Sequence, residues 1–250
     1  MNKFFAGKIG TVLLVCVGLL SGCTVSVNTN VPHSEKTNMA KDGLPLMDTI
    51  PWGPQQTMTY AIYTGTAESG SVEIEVTRAA DGETYRITKV KTTAEEEIQS
   101  GATVKADTLM PTESYYNKTS ASETYKISTS YAESWNVKTV TDNEVDQTIA
   151  LTPSYYDNES LLVILGALSF EDTDKFAIND TIPLTCKIEV LSGKCHEKEK
   201  VSVPFGEADC YQVTLGNMRL WYSADDRVLY QYQDGNISYQ LTALTQTESE

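Results

Sequence analysis

The sequence predicts a mainly β protein, a long curved antiparallel sheet (half-barrel or open barrel meander) wrapped round one central helix. Three observations carry that prediction. From Thr57 onward apolar residues recur at every second position, the period of a strand with one buried face. The runs are short and parted by tight-turn pairs such as Asp81-Gly82 and Asp234-Gly235, where glycine accepts the positive φ that a hairpin demands. One run breaks the pattern: from Leu161 to Phe170 the chain is apolar on every side, as in a helix enclosed by other structure.

The N-terminus reads as an export signal. Lys3 and Lys8 precede an apolar run from Ile9 to Leu20, and Leu20-Ser21-Gly22-Cys23 follows directly. That order is the lipobox of a bacterial lipoprotein: Cys23 offers the sulfur that takes a diacylglycerol, and small Ser21 and Gly22 let a peptidase reach the bond before it. Residues 1–22 are then the signal peptide and Cys23 the lipidation site, with two or more acyl chains sufficient for stable anchoring. Thr24 follows, so no aspartate marks the chain for retention at an inner membrane. The expected location is the outer face of the cell membrane, or an envelope membrane where the cell has two. Residues 23–56 hold the lipidated cysteine, a Thr-, Asn- and Ser-rich tether containing His33, and a lead-in segment with Pro45, Pro51 and Pro54, in which Trp52 packs on the domain edge. A single β-rich domain fills 57–250.

Within that domain Met58, Tyr60 and Ile62 form one inward row, and after a turn between Gly65 and Gly70, Val72, Ile74 and Val76 form the next. Tyr85 and Ile87 open a third strand, Val104 and Ala106 belong to a fourth, and Leu109-Met110-Pro111 ends it. Ser122 to Tyr131, Glu133 to Thr141 and Val145 to Leu151 continue the meander, with Asp142-Asn143 as a turn. Asp157 or Asn158 is the expected N-cap of the helix, and Glu159 suits the positive end of its dipole. The helix is too short to cross a bilayer, which takes about 20 apolar residues. Glu171 to Asp174 makes an acidic solvated loop without the glycine and closing glutamate of a calcium loop. Strands resume over Ile182 to Leu191, turn at Ser192-Gly193, return through Val201 and Val203, and turn again at Pro204-Phe205-Gly206. Tyr211 to Leu215, Met218 to Tyr222, Val228 to Tyr232 and Ile237 to Leu244 complete a second meander.

Tyr156-Asp157-x-x-Ser160-Leu161-Leu162, Val201-x-Val203-Pro204-x-Gly206 and Trp221-Tyr222-Ser223-x-Asp225-x-Arg227 together resemble an exported bacterial family of unknown function. The resemblance covers roughly Thr57 to Leu244. It implies a curved antiparallel sheet partway round a helical element, similar to the half-barrels of lipoprotein-localisation factors. The family carries no established reaction. Where it would place a basic residue after the leucines, this chain has Gly166 and Ala167.

Net charge is −15, and removal of Lys3 and Lys8 with the signal brings it to −15 − 2 = −17. Such a surface repels phosphate backbones, so nucleic acid is not an expected partner. Nucleophile elbow, zinc-protease helix, phosphate loop and dinucleotide fingerprint are all missing, and His33 and His196 are the only histidines. Glu95-Glu96-Glu97 and Asp225-Asp226 are expected in water. No catalytic residue, metal site or cofactor is assigned, and the protein is read as a non-enzyme. Cys186, Cys195 and Cys210 remain in the domain; one disulfide with one free thiol, or none bonded, are both open.

Tyrosine is abundant, with 14 in the chain. Cross-strand packing accounts for most such rings. An antiparallel sheet curved round one short helix nonetheless has more inner face than the helix covers, and Tyr156, Trp221 and Tyr230 are the candidate ligand-binding residues for that surplus. The two expected functions are a noncatalytic, lipid-anchored binding protein for an apolar or carbohydrate ligand, and a structural or assembly lipoprotein docking another envelope protein. An inner pocket lined by Tyr, Leu and Val favours the first, and a filled interior the second.

Overall fold

The structure is a computed structural model that describes residues 43–121, 123–140 and 144–247, all within the unit Thr37–Glu250. The lipobox, Cys23, His33 and the Asp142-Asn143 turn lie outside the described residues.

Alternation of apolar and polar residues lays the chain into one large curved open sheet of 15 strands. The first eight are β1 (Gln55–Thr64), β2 (Ala67–Arg78), β3 (Thr84–Thr93), β4 (Glu96–Lys105), β5 (Pro111–Ser120), β6 (Thr124–Tyr131), β7 (Ser134–Val140) and β8 (Glu144–Ala150). The rest are β9 (Tyr155–Asp157), β10 (Lys175–Ile182), β11 (Lys187–Val203), β12 (Gly206–Leu215), β13 (Met218–Ser223), β14 (Leu229–Asp234) and β15 (Ile237–Thr247). The order across the sheet is β8 to β1 and then β15 down to β9, so two meanders join where β1 pairs with β15. All neighbours are antiparallel except β9 and β10, which run parallel because the chain passes through the helical segment between them.

The inward rows are those the periodicity calls for: Met58, Tyr60 and Ile62 on β1, Val72, Ile74 and Val76 on β2, and Tyr85 and Ile87 on β3 are all buried. Asp81-Gly82, Pro204-Phe205 and Asp234-Gly235 fall at or beside strand junctions. Trp52 is buried and meets Tyr85 edge-on at 5.2 Å.

Three expectations are corrected. The helix is shorter: α1 spans Leu161–Ile164, a 3-10 turn covers Leu165–Ala167, and Leu168 is already extended at ψ 142°. Leu168 bridges to Leu46, while Met47 N–H donates to the Ala167 carbonyl at 3.0 Å and Ser169 N–H to that of Pro45 at 2.9 Å. The lead-in segment thus takes up hydrogen bonds that a longer helix would have kept internal. The N-cap position is Ser160 rather than Asp157 or Asn158, and it makes no side-chain cap bond.

The second correction concerns Ser192-Gly193, which lies inside β11 rather than at a turn. Gly193 pairs with Phe176 on β10, and a Cβ at Gly193 would come within 2.2 Å of that ring. The glycine leaves room for an aromatic ring to lie over the strand, a use that looks like a turn signal in sequence. The reversal comes earlier, at the 3-10 turn Pro183–Thr185, closed by Cys186 in the left-handed region at φ 53°. Third, Glu96 is not in open water. It is half-buried between Lys118 at 3.0 Å and Lys91 at 3.3 Å; burial works to raise its pKa, but the two ammonium groups outweigh it and hold the carboxyl below its ordinary value.

Candidate functional site

Two places in the domain gather polar chemistry or open space. The first is a buried seam where strands from the two meanders meet through side chains. Tyr131 ends β6, and its ring stacks on Tyr155 of β9 at 5.4 Å and on Trp135 of β7 at 6.1 Å. Its hydroxyl donates to Asp157 Oδ2 in a short hydrogen bond and lies 3.0 Å from Thr181 Oγ1 on β10. Asp157 Oδ1 accepts the Glu159 N–H at 2.7 Å, and Ser160 Oγ donates to the Asp157 carbonyl at 2.8 Å. Glu159 in turn meets Lys89 of β3 at 2.8 Å, with both side chains nearly sealed from water. Ile127, Val137 and Ile188 close round the rings.

Electrostatics at this seam are dominated by burial of its carboxyls. Asp157 is fully buried; loss of hydration chiefly, with the Glu159 charge beside it, pushes its carboxyl up to about 7 against the opposing pull of its hydrogen bonds. Ser114 Oγ also faces Asp157, although its geometry falls short of a good hydrogen bond. Asp180, next to Thr181 on β10, is fully buried too, and neither of its carboxyl oxygens has a hydrogen-bond partner. Burial first, then the charges of Asp157, Glu189 and Glu159, raise its pKa well above the ordinary range. A buried carboxyl without donors keeps its proton, because the bare anion would cost several kcal/mol.

The second place is an open groove of about 500 Å³ between the lead-in segment and the chain after the helix, lined by Pro45, Leu46, Met47, Phe170, Glu171 and Arg227 among others. Its rim is acidic, with Asp48, Glu171 and Asp172. Arg227, whose φ is 58°, lies against the rings of Phe170 and Tyr211, which stack on each other at 4.8 Å and are each 4.9 Å from its guanidinium carbon. Glu171 accepts from the Tyr211 hydroxyl at 2.8 Å, and Asp172 from Ser169 at 2.9 Å.

Between α1 and the sheet there is little room. Trp52, Met58, Tyr60, Ile74, Leu162 and Leu229 are among the side chains round a cavity of about 10 Å³, which suffices for roughly one water. Tyr222 donates to the Leu162 carbonyl at 3.1 Å and Tyr60 to that of Leu229 at 2.9 Å, so these two inward tyrosines spend their hydroxyls on backbone. Gly166 belongs to the same packing: a Cβ there would lie 2.4 Å from the Arg227 carbonyl oxygen, which excludes the basic residue the family resemblance places nearby.

The three candidate ligand residues take different partners. Tyr156 is buried and its hydroxyl accepts the Leu44 N–H at 2.8 Å. Trp221 donates to Glu199 Oε1 at 2.5 Å and lies under Arg219. Tyr230 meets Phe205 edge-on at 6.0 Å. None of the three lines the cavity under the helix or the groove. The cysteines Cys186, Cys195 and Cys210 are all free thiols.

Lys89, Tyr131 and Asp180 are missed by sequence reading, yet part of the signal is present. Lys89 and Lys91 continue the inward row of Tyr85 and Ile87, and a charge on a buried parity needs a buried partner. Asp180 carries no such mark, because β10 is buried on both faces from Phe176 to Ile182 and alternation disappears.

No curated protein matches the chain. Among solved structures it is similar to a β-barrel-like protein of domain of unknown function DUF1849 from Brucella abortus, at TM-score 0.56 and 9% identity, covering 79% of this chain and 99% of that one. It is also aligned with a Bacteroides fragilis protein of YmcC-like fold, at TM-score 0.28 and 8% identity, over 82% of this chain and 100% of the other. The first likeness supports the barrel-like sheet and says nothing of activity. Residues 56–242, from the start of β1 into β15 and including both the seam and Arg227, match the family described as protein of unknown function DUF3108, and the chain belongs to that family.

Proposed function

We propose that this is a noncatalytic lipoprotein of the cell envelope, held to its membrane by acyl chains on Cys23, whose domain works by docking a partner protein on its outer surface. The observation that carries this choice over a ligand carrier is the cavity of about 10 Å³ under the helical segment. In this reading the sheet wraps residues 161–167 and is filled by them. An apolar or glycan ligand carried there, between the helical segment and the sheet, would need several hundred Å³. The buried carboxyls Asp157 and Asp180 line neither the cavity nor the groove, so no substrate reaches them there. Catalysis is therefore not part of the proposal. The groove supplies the docking surface: apolar Pro45, Leu46, Met47 and Phe170 under an acidic rim, on a chain of net charge −15, suit a partner with a basic face.

The test uses the full-length lipoprotein in its own cells. A photo-crosslinking residue at Met47 should capture one protein reproducibly, while the same residue at exposed Glu73 should not. Capture should fall as salt is raised before irradiation. Equal capture from both positions, or a lipid or glycan recovered from the denatured purified domain, would overturn docking in favour of ligand carriage. Cys23→Ala should leave the protein unlipidated, released or stalled as precursor; unchanged membrane retention and mature mass would remove the anchor from the proposal.

A further inference from the structure

The buried seam offers a second inference, independent of what docks in the groove. β9 is only three residues long and forms one end of the sheet. Its hydrogen-bonded neighbour is β10 alone, and side chains tie it to the first meander through Tyr131, Tyr155 and the Lys89–Glu159 pair. At the centre of this join sit two sealed carboxyls, Asp157 on β9 and Asp180 on β10. Asp157 has Tyr131, Thr181 and the Glu159 amide around it; Asp180 has no donor at all.

We infer that Asp157 and Asp180 make the seam a proton-operated clasp, closed while the two carboxyls are neutral and loosened when they lose their protons. The charged and titratable groups facing them come from every element of the join. Tyr131 on β6 and Ser114 on β5 approach Asp157 from one side. Glu159 follows it in sequence and is neutralised by Lys89 from β3, with Tyr115 and Tyr239 within reach of its charge. Glu189 stands opposite Asp180 on β11. Lys89 is the one cation of this set, and it is engaged by Glu159. Ionisation of either aspartate therefore places an unbalanced negative charge in a sealed space whose one cation is already engaged. The cheapest relief is for β9, the short terminal strand, to part from the first meander and admit water.

The direction follows from the carboxyl of Asp157, raised to about 7 from its ordinary 3.8. A group that holds its proton more tightly folded than unfolded stabilises the fold fully below the unfolded value, and that contribution is lost as pH rises through the folded value. Asp180, also raised, acts in the same sense. The clasp is thus firm in acid and slack in mildly alkaline surroundings, a range that an exported domain meets directly.

The experiment compares the thermal midpoint and the hydrogen-exchange protection of residues 153–160 and 175–182 at pH 5 and pH 8, with exchange corrected for its intrinsic rate. The wild-type midpoint should fall by at least about 5 °C across that interval, with protection lost first in these two segments. Asp180→Asn removes an unpartnered charge and should fold; it should flatten the pH dependence and raise the midpoint at pH 8. Asp225→Asn, on an exposed turn, should keep the wild-type slope and separates the seam from general surface repulsion. A wild-type slope retained in Asp180→Asn and Asp157→Asn, or protection lost uniformly across the sheet, would overturn the clasp.

Discussion

The helical segment and the seam both join the two meanders, yet they do so by opposite physics. Leu161 to Leu168 is buried and apolar apart from backbone, and its neighbours Met58, Tyr60, Ile74 and Leu229 are nearly all hydrocarbon and aromatic surface. That contact draws on exclusion of water and dense packing, which are indifferent to pH. The seam instead buries Asp157, Glu159, Asp180, Lys89 and Tyr131. Such a network holds firmly only while every member is paired or neutral, so the same burial that stabilises one region makes the other conditional.

The largest expected effect breaks the seam at its ion pair. Lys89→Met leaves Glu159 buried without its cation and should cost about 3–5 kcal/mol in urea unfolding. A loss under 1 kcal/mol would mean that Glu159 finds water, and the seam would then resemble a surface. Next is the apolar contact: Leu165→Ala, at a side chain with no exposure, should cost about 2–5 kcal/mol. Its loss should be equal at pH 5 and pH 8. A pH-dependent loss would mean that the two regions are coupled and do not stabilise the fold by separate physics.

Tyr131→Phe keeps the ring stack with Tyr155 and removes only the hydroxyl, leaving Asp157 Oδ2 without that donor. It should cost about 1–3 kcal/mol, and more at pH 8 than at pH 5, because the ionised carboxylate needs the donor more. The smallest effect belongs to Trp221→Phe, which removes the indole bond to partly exposed Glu199 and should cost about 0.5–1.5 kcal/mol without pH dependence. If that variant were instead the most damaging of the four, the outer face would hold the domain together more than either inner contact.

Much of this architecture is readable before any coordinates exist. The alternation of Met58, Tyr60 and Ile62, of Val72, Ile74 and Val76, and the Asp-Gly turns specify strands locally, because side-chain period and turn chemistry are properties of neighbouring residues. The burial of Leu161 to Leu168 is legible in the same way, from composition alone. Its conformation was not, since hydrogen bonds with Pro45 and Met47, over a hundred residues away, compete with helix continuation after Ala167. Gly193 shows the same limit: only the ring of Phe176 across the ladder tells a mid-strand glycine from a turn.

The sequence by itself determined the mainly β class, the inward rows of the first strands and the burial of Leu161 to Leu168, all of which depend on residues within a few places of one another. The tertiary structure alone decided that the cavity beside the helical segment has room for about one water, that Tyr156, Trp221 and Tyr230 take separate partners, and that Asp157, Asp180, Tyr131 and Lys89 converge. The reason is physical: periodicity says which face a side chain takes, whereas volume left over and charge brought near depend on which distant strands are folded against that face.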